Sequence, residues 1–119
     1  MRKLLLLGAS LLAASVTSSA ITVTVYNLTS CPYTLSVNGG VGYINVPANG
    51  NATGGNASTN PTAAKVGYVS GGSWLGQVNL SNVSTFGTST FVPPCMSGFY
   101  NCSWNQPNPA ANVTIFIYP

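Results

Sequence analysis

Residues 21–28, Ile-Thr-Val-Thr-Val-Tyr-Asn-Leu, decide how the rest of the chain is interpreted. Ile21, Val23 and Val25 share one face of an extended chain, and two threonines and a tyrosine alternate with them on the other face. This period of two predicts a half-buried β-strand. Such a strand near the start of a chain either completes its own sheet or adds to the sheet of a neighbouring molecule. We expect it to be shared, although the pattern alone leaves an intramolecular position open.

Residues 1–20 have the three parts of a secretion signal. Two basic residues precede the apolar run 4–14, and Ser18 and Ala20 place small side chains at the −3 and −1 positions of a cleavage site after Ala20. The apolar run is shorter than the ~20 residues that cross a bilayer. We therefore expect secretion and no membrane insertion after cleavage. The predicted organisation is a leader at 1–20, an N-terminal strand at 21–30 and one domain at 31–119.

Short alternating segments separated by turn residues continue along the chain. Asn38-Gly39-Gly40 predicts a hairpin between 33–37 and 41–46, because Asn and Gly accept the positive φ that such turns need. Gly71-Gly72 predicts a second turn, whereas 47–63 has no apolar period and is interpreted as a long solvated loop. Near the end, 113–118 is apolar on both faces. Six to eight short strands without a helix predict an all-β fold, a small antiparallel sandwich of the immunoglobulin-like or jelly-roll kind.

The charged residues exclude most chemistry. The chain has no Asp, Glu or His, and its only charged side chains are Arg2, Lys3 and Lys65. General acid–base catalysis, catalytic triads and divalent-metal sites need side chains that are missing. Nucleic-acid binding needs a basic patch, which one lysine does not make. We expect no enzyme, no metal, no cofactor and no nucleic-acid partner.

The same composition predicts an unusual response to acid. Acid unfolding mostly acts through paired carboxylates and buried histidines, and this chain has neither. Its stability should therefore be nearly constant from neutral to strongly acidic pH. We interpret this as adaptation to an acidic exterior.

Dense glycosylation signals offer another source of surface hydration. A chain with so little charge and a mean hydropathy of +0.31 needs one. Attached N-glycans would take over the solvating role of charge, although we expect two or three of the matches to be unused. The Asn-x-Ser/Thr matches are at Asn27, Asn51, Asn56, Asn79, Asn82, Asn101 and Asn112.

Three cysteines, Cys31, Cys95 and Cys102, allow one disulfide and one free thiol. A bridge between Cys95 and Cys102 would clip a local loop, and we slightly favour it. A bridge from Cys31 to either of the others would tie the start of the domain to its end and add roughly 4 kcal/mol.

The tryptophans have two interpretations. A large aromatic in a short domain is usually a core residue, so we expect Trp74 to be buried. The alternative is a monomeric secreted module that binds carbohydrate or the cell envelope through Trp74, Trp104, Tyr100 or the loop 47–63.

Taken together, the leader, the alternating strand 21–26, the dense sequons and the lack of acidic side chains resemble the archaeal thread filament subunits. The resemblance implies a glycosylated, cell-surface filament protein of an acid-loving cell. It also implies a head-to-tail homopolymer with a role in adhesion, in which the N-terminal strand of one subunit completes the sandwich of the next. Ile21, Val23 and Val25 would then be the donor side chains, beside 113–117 of the acceptor.

Overall fold

The computed structural model describes residues 21–55 and 57–119, which form two β-sheets that enclose one core. The predicted all-β sandwich is confirmed, and no helix occurs in the described ranges. The predicted leader lies outside these residues. The strands are β1 (Val23–Asn27), β2 (Tyr33–Val37), β3 (Gly42–Val46), β4 (Asn51–Gly54), β5 (Ala63–Ser70), β6 (Ser73–Ser81), β7 (Ser84–Thr88), β8 (Asn101–Asn105) and β9 (Val113–Tyr118).

The first sheet has the strand order β4–β1–β9–β8–β7 and the second has the order β3–β2–β5–β6. Neighbouring strands are antiparallel except β1 and β9, which are parallel in a register that runs from Val23↔Val113 to Asn27↔Ile117. Both strands therefore end at the same end of the molecule. We call this end, marked by Asn27 and Ile117, the lower pole.

The core is filled by the inward side chains of both sheets, as the period of two requires. Leu35 and Val66 come from the second sheet, whereas Trp104 and Ile115 come from the first, and all four are fully buried. A buried aliphatic or aromatic side chain of this size contributes roughly 1.5–3 kcal/mol. The core therefore depends on apolar packing, without ion pairs between side chains.

The two glycine turns form where the sequence predicts them. Gly39 and Gly40 have φ angles of 78° and 88° in the β2–β3 hairpin, and Gly71 and Gly72 have φ angles of 57° and 81° in the β5–β6 hairpin. Such angles suit glycine because it has no Cβ.

The interpretation of 47–63 as a loop throughout was wrong. It contains β4, which pairs antiparallel with β1, Tyr26 opposite Asn51 and Val23 opposite Gly54. Three of its four residues, Asn51, Ala52 and Gly54, have low strand propensity. The strand forms because β1 offers it an unpaired edge, which is a tertiary effect.

Trp74 was predicted to be a core residue, but it is only partly buried and lies outside the core. Between the pairs Val66↔Val78 and Tyr68↔Leu75, β6 uses one more residue than β5. Gly76, with a φ of 61°, lies in this β-bulge, and a bulge reverses the alternation of the strand beyond it. Leu75 is therefore the partner of the partly buried Tyr68, and Trp74 lies on the outer face of the second sheet.

Candidate functional site: the N-terminal strand and its groove

Strand β1 is a central strand of the first sheet. It lies between β4 and β9 and is hydrogen-bonded to both. Beyond the regular ladder, the backbone nitrogen of Leu28 donates to the oxygen of Ile117 at 2.7 Å, and that of Asn27 donates to Gly50 at 2.8 Å. In the structure of the single chain, the strand 21–28 thus occupies its own sheet. The space between β4 and β9 that it fills is called the β1 groove below.

The inward side chains of β1 are the three that the sequence singled out. Ile21 is 5% exposed, and Val23 and Val25 are fully buried. In the parallel register Val23 lies beside Val113 and Val25 beside Ile115. On the outer face, the ring of Tyr26 stacks on that of Phe116 with centroids 5.5 Å apart. The β1 groove is therefore an apolar slot that accepts aliphatic side chains at every second position.

The side chain of Asn27 anchors the lower end of β1 and was not predicted to do so. It is 1% exposed. Its Nδ2 donates to the carbonyl oxygens of Cys31 at 2.6 Å and Pro47 at 2.9 Å. Its Oδ1 accepts from the backbone nitrogen of Thr29 at 3.0 Å and from the Thr29 hydroxyl at 2.8 Å. Because Nδ2 is buried and used twice, the folded domain has no room for a glycan at this sequon.

The other predicted glycosylation sites differ from Asn27 in their exposure. Asn51, Asn79 and Asn112 are exposed, and Asn82 and Asn101 are partly exposed. Asn56 lies outside the described residues. These five sites leave room for glycans on the outside of the sandwich, and the intact mass of the native protein would show whether any of them carries one.

The favoured pairing of Cys95 with Cys102 was wrong. Cys31 and Cys95 form the disulfide, with their Cα atoms 5.5 Å apart, a normal separation for such a bridge. Cys102 is on β8 with its side chain facing the core, and it is buried and free. Burial raises the pKa of the Cys102 thiol to about 12, which keeps it protonated and unreactive. The disulfide joins the segment after β1 to the loop before β8 at the lower pole.

Replacing Cys95 by serine is expected to lower the free energy of unfolding by roughly 3–4 kcal/mol, because the bridge closes a long loop between residues 64 positions apart. Urea unfolding of this variant and of Ser97→Ala, an exposed change in the same loop, would measure the difference. A peptide map that shows Cys95 joined to Cys102 would contradict the assignment.

A depression of about 810 Å³ lies beside the disulfide at the lower pole. Leu28 and Phe99, both more than half exposed, form part of its wall. Pro94, Met96 and the terminal residue Pro119 complete its apolar lining. Thr29, Ser30, Asn49 and Ser97 add polar groups, so the lower pole carries a mixed surface with two exposed apolar side chains next to the point where β1 leaves the sheet.

Two of the predicted ligand-binding aromatics are core residues. Trp104 and Tyr100 are fully buried. The indole nitrogen of Trp104 donates to Gln106 Oε1 at 2.8 Å, and the hydroxyl of Tyr100 donates to the backbone oxygens of Leu75 and Gly76 in the β6 bulge. Neither ring can stack on an external ligand.

Residues 21–55 and 57–119 hold no group of three metal-ligating side chains. Within the same ranges, no helix has the length and apolar character needed to span a bilayer. Comparisons with protein-family models, with curated proteins and with solved structures find no match to this chain.

Proposed function

We propose that this protein is the structural subunit of an extracellular filament whose subunits are joined by exchange of the N-terminal strand. The observation that carries the proposal is the position of β1. The first described segment of the chain is also a central strand of a sheet, and it reaches the rest of the domain through residues 28–32 alone. An element of this kind can be supplied by a neighbour.

Leaving the β1 groove empty would strongly destabilise the domain. Without β1, the edges of β4 and β9 lose their partner, and three aliphatic side chains worth roughly 1.5–3 kcal/mol each leave the core. That sum is comparable with the total stability of a domain, about 5–15 kcal/mol. A subunit whose strand is elsewhere is therefore stable only when an equivalent strand fills its groove.

The linker decides the direction of a donor strand. Residues 28–32 reach at most roughly 17 Å, and they join the end of β1 to the start of β2 at the same lower pole. A donor strand parallel to β9 of the acceptor would place the lower poles of the donor and acceptor subunits side by side. Two such subunits would exchange strands reciprocally and form a closed dimer. A head-to-tail filament therefore needs the donor antiparallel to β9 of the acceptor. Ile21, Val23 and Val25 place an aliphatic side chain at every second position in either strand direction, so the donor can insert in the reversed direction.

Composition supports an assembly held by backbone pairing and apolar contact. No side-chain ion pair can form, because the chain has no acidic side chain. At the lower pole, the exposed side chains of Leu28 and Phe99 give a second apolar contact that a neighbouring body can cover in a filament. Such contacts are insensitive to acid, which suits the surface of an acid-adapted cell, with glycans on the exposed sequons.

The competing hypothesis is a monomeric secreted module that binds carbohydrate. Of its predicted contact residues, Trp104 and Tyr100 are buried, and only Trp74 and the loop 47–63 remain accessible. Sedimentation of the native secreted protein separates the two functions, since a filament sediments at low speed and a monomer does not.

A cysteine lock tests strand exchange. Thr24 and Thr114 are partners in the parallel register of β1 and β9, within reach of a disulfide. In Thr24→Cys/Thr114→Cys, oxidation before assembly should hold β1 in its own groove, so that electron microscopy shows monomers. Reduction should restore filaments.

The control is Thr24→Cys alone under the same redox treatment, which should assemble in both conditions. Filaments built from the locked, oxidised variant would contradict strand exchange. A native protein that stays monomeric at every concentration would contradict the filament itself.

A further inference from the structure

The outer face of the second sheet carries an aromatic pair that the core does not use. Tyr43 on β3 is 73% exposed, and its ring centroid lies 6.3 Å from that of Trp74 on β6, with the planes inclined by 46°. The Nζ atom of Lys65 on β5 lies 5.7 Å from the centroid of Trp74. We call these three side chains the Trp74 platform. They come from three different strands and meet above the middle of the sheet.

Two glycines hold the indole in this position. The bulge at Gly76 turns Trp74 outward, as described above. Opposite it, Gly67 is buried beneath the indole, and a Cβ at position 67 would lie 2.6 Å from Cε3 of Trp74. The ring therefore lies close against the backbone of β5 on the outer face of the sheet, where it is partly exposed. A side chain at position 67 would clash with the indole, and position 76 has a positive φ that favours glycine. The outward position of Trp74 therefore depends on both glycines.

The surroundings of the platform are polar and uncharged. Ser36 lies between Tyr43 and Lys65 in one row across the sheet, and Asn79 continues that row on the far side of Lys65. In the next row, the hydroxyl of Thr34 hydrogen-bonds to Oδ1 of Asn45 at 2.8 Å. The face thus combines aromatic rings with hydroxyl and amide groups, the mixture that fixes a polar ligand on an apolar base.

The positive charge of Lys65 indicates which class of ligand this face can bind. Lys65 is the only charged side chain of the described residues, and the sequence has no carboxylate side chain to repel an anion. One cation is too few for the phosphates of a nucleic acid. It is sufficient for one carboxylate or sulfate on a sugar, whose C–H groups would meet the electron-rich faces of the rings.

We propose that the Trp74 platform binds an acidic polysaccharide, with one pyranose ring on Trp74 and Tyr43 and its anionic group beside Lys65. This site is independent of strand exchange, because β1 belongs to the other sheet. It would give either a filament or a monomer a means of attachment to an acidic glycan surface.

Binding to three probes tests the site: polygalacturonate, dextran sulfate and uncharged dextran, each measured by calorimetry with the full secreted protein. The wild type should bind at least one acidic polymer, and dextran about tenfold more weakly or not at all. Polygalacturonate and dextran sulfate distinguish a carboxylate from a sulfate as the preferred group. Tyr43→Ala should weaken the preferred acidic polymer about tenfold, the loss of one stacked ring. Lys65→Gln should bring binding of that polymer down to the level of dextran and remove its salt dependence.

Phe86→Ala is the matched control, since Phe86 is an aromatic of similar exposure on the other sheet, and it should bind like the wild type. Tyr43 is mostly exposed, so its replacement leaves the fold intact even if Trp74→Ala does not. Equal affinity for dextran and both acidic polymers would overturn the proposal. So would an unchanged Tyr43→Ala variant, or a loss in Phe86→Ala as large as that in Tyr43→Ala.

Discussion

Above about pH 9 the free energy of unfolding is expected to fall steeply, after remaining nearly constant from pH 2 to pH 8. Burial raises the pKa of the Cys102 thiol to about 12 and, as the main cause, also raises the pKa values of Tyr33 and Tyr100. In the unfolded chain the same groups lose their protons near 9.0 for the thiol and 10.0 for the phenols. Between the unfolded and folded pKa values the folded state binds more protons, so stability decreases as pH rises.

The slope in that range should reach about 1.4 kcal/mol per pH unit for each such group. On the acid side no side chain titrates between its folded and unfolded pKa values, because the chain lacks Asp, Glu and His. Urea unfolding at successive pH values would measure both the constant stability in acid and the decline above about pH 9. In Cys102→Ala, the decline should begin about one unit later, near the pKa of the tyrosines. A cooperative transition between pH 2 and pH 7 would contradict this account.

Replacing Asn27 by aspartate should destabilise the protein by roughly 3–5 kcal/mol at neutral pH. The change is nearly isosteric, but the carboxylate cannot donate to the backbone oxygens of Cys31 and Pro47, which now receive two N–H bonds. It also places a buried charge against those oxygens. Part of the stability should return as the pH falls towards 4, because the protonated acid is neutral and can donate one bond.

The direction follows from the pKa of the new carboxyl. Burial without a cation raises it above the ordinary value of about 3.9, so its stabilising, protonated form is fully present below that value and is lost as pH rises. The free energy of unfolding of the wild type is expected to be constant in acid. Any dependence on pH that appears in the variant can therefore be assigned to position 27. Asn60→Asp, an exposed change in the loop after β4, is the control and should stay flat. An unchanged stability of Asn27→Asp at pH 7 would show that the hydrogen bonds of Asn27 are not important.

The parts of the fold that sequence predicts well are local. Alternation and paired glycines place the β2–β3 hairpin, because both signals act within a few residues. The run 113–118, apolar on both faces, likewise predicts a buried strand, and β9 is a central strand of its sheet. Ile21, Val23 and Val25 could be recognised as inward residues by their alternation.

The features that sequence misses depend on distant partners. Strand β4 has weak propensity and exists because β1 pairs with it. The outward position of Trp74 follows from one extra residue in β6, and a glycine in the sequence does not by itself indicate a bulge. The disulfide needs the spatial meeting of Cys31 and Cys95, which no spacing rule supplies. Asn27 resembled a glycosylation site because its sequon is intact, and only its burial shows that it is a structural anchor.

If the chain is secreted and N-glycosylated as we propose, that anchor sets an order of events. Asn27-Leu28-Thr29 is a complete acceptor for oligosaccharide transfer while the nascent chain is still extended. A sugar added then would be too bulky for the closed lower pole, so every molecule that reaches the native state must have escaped modification at that residue. Under that proposal, closure of the first sheet competes with the transferase, and the faster of the two determines the yield of native protein.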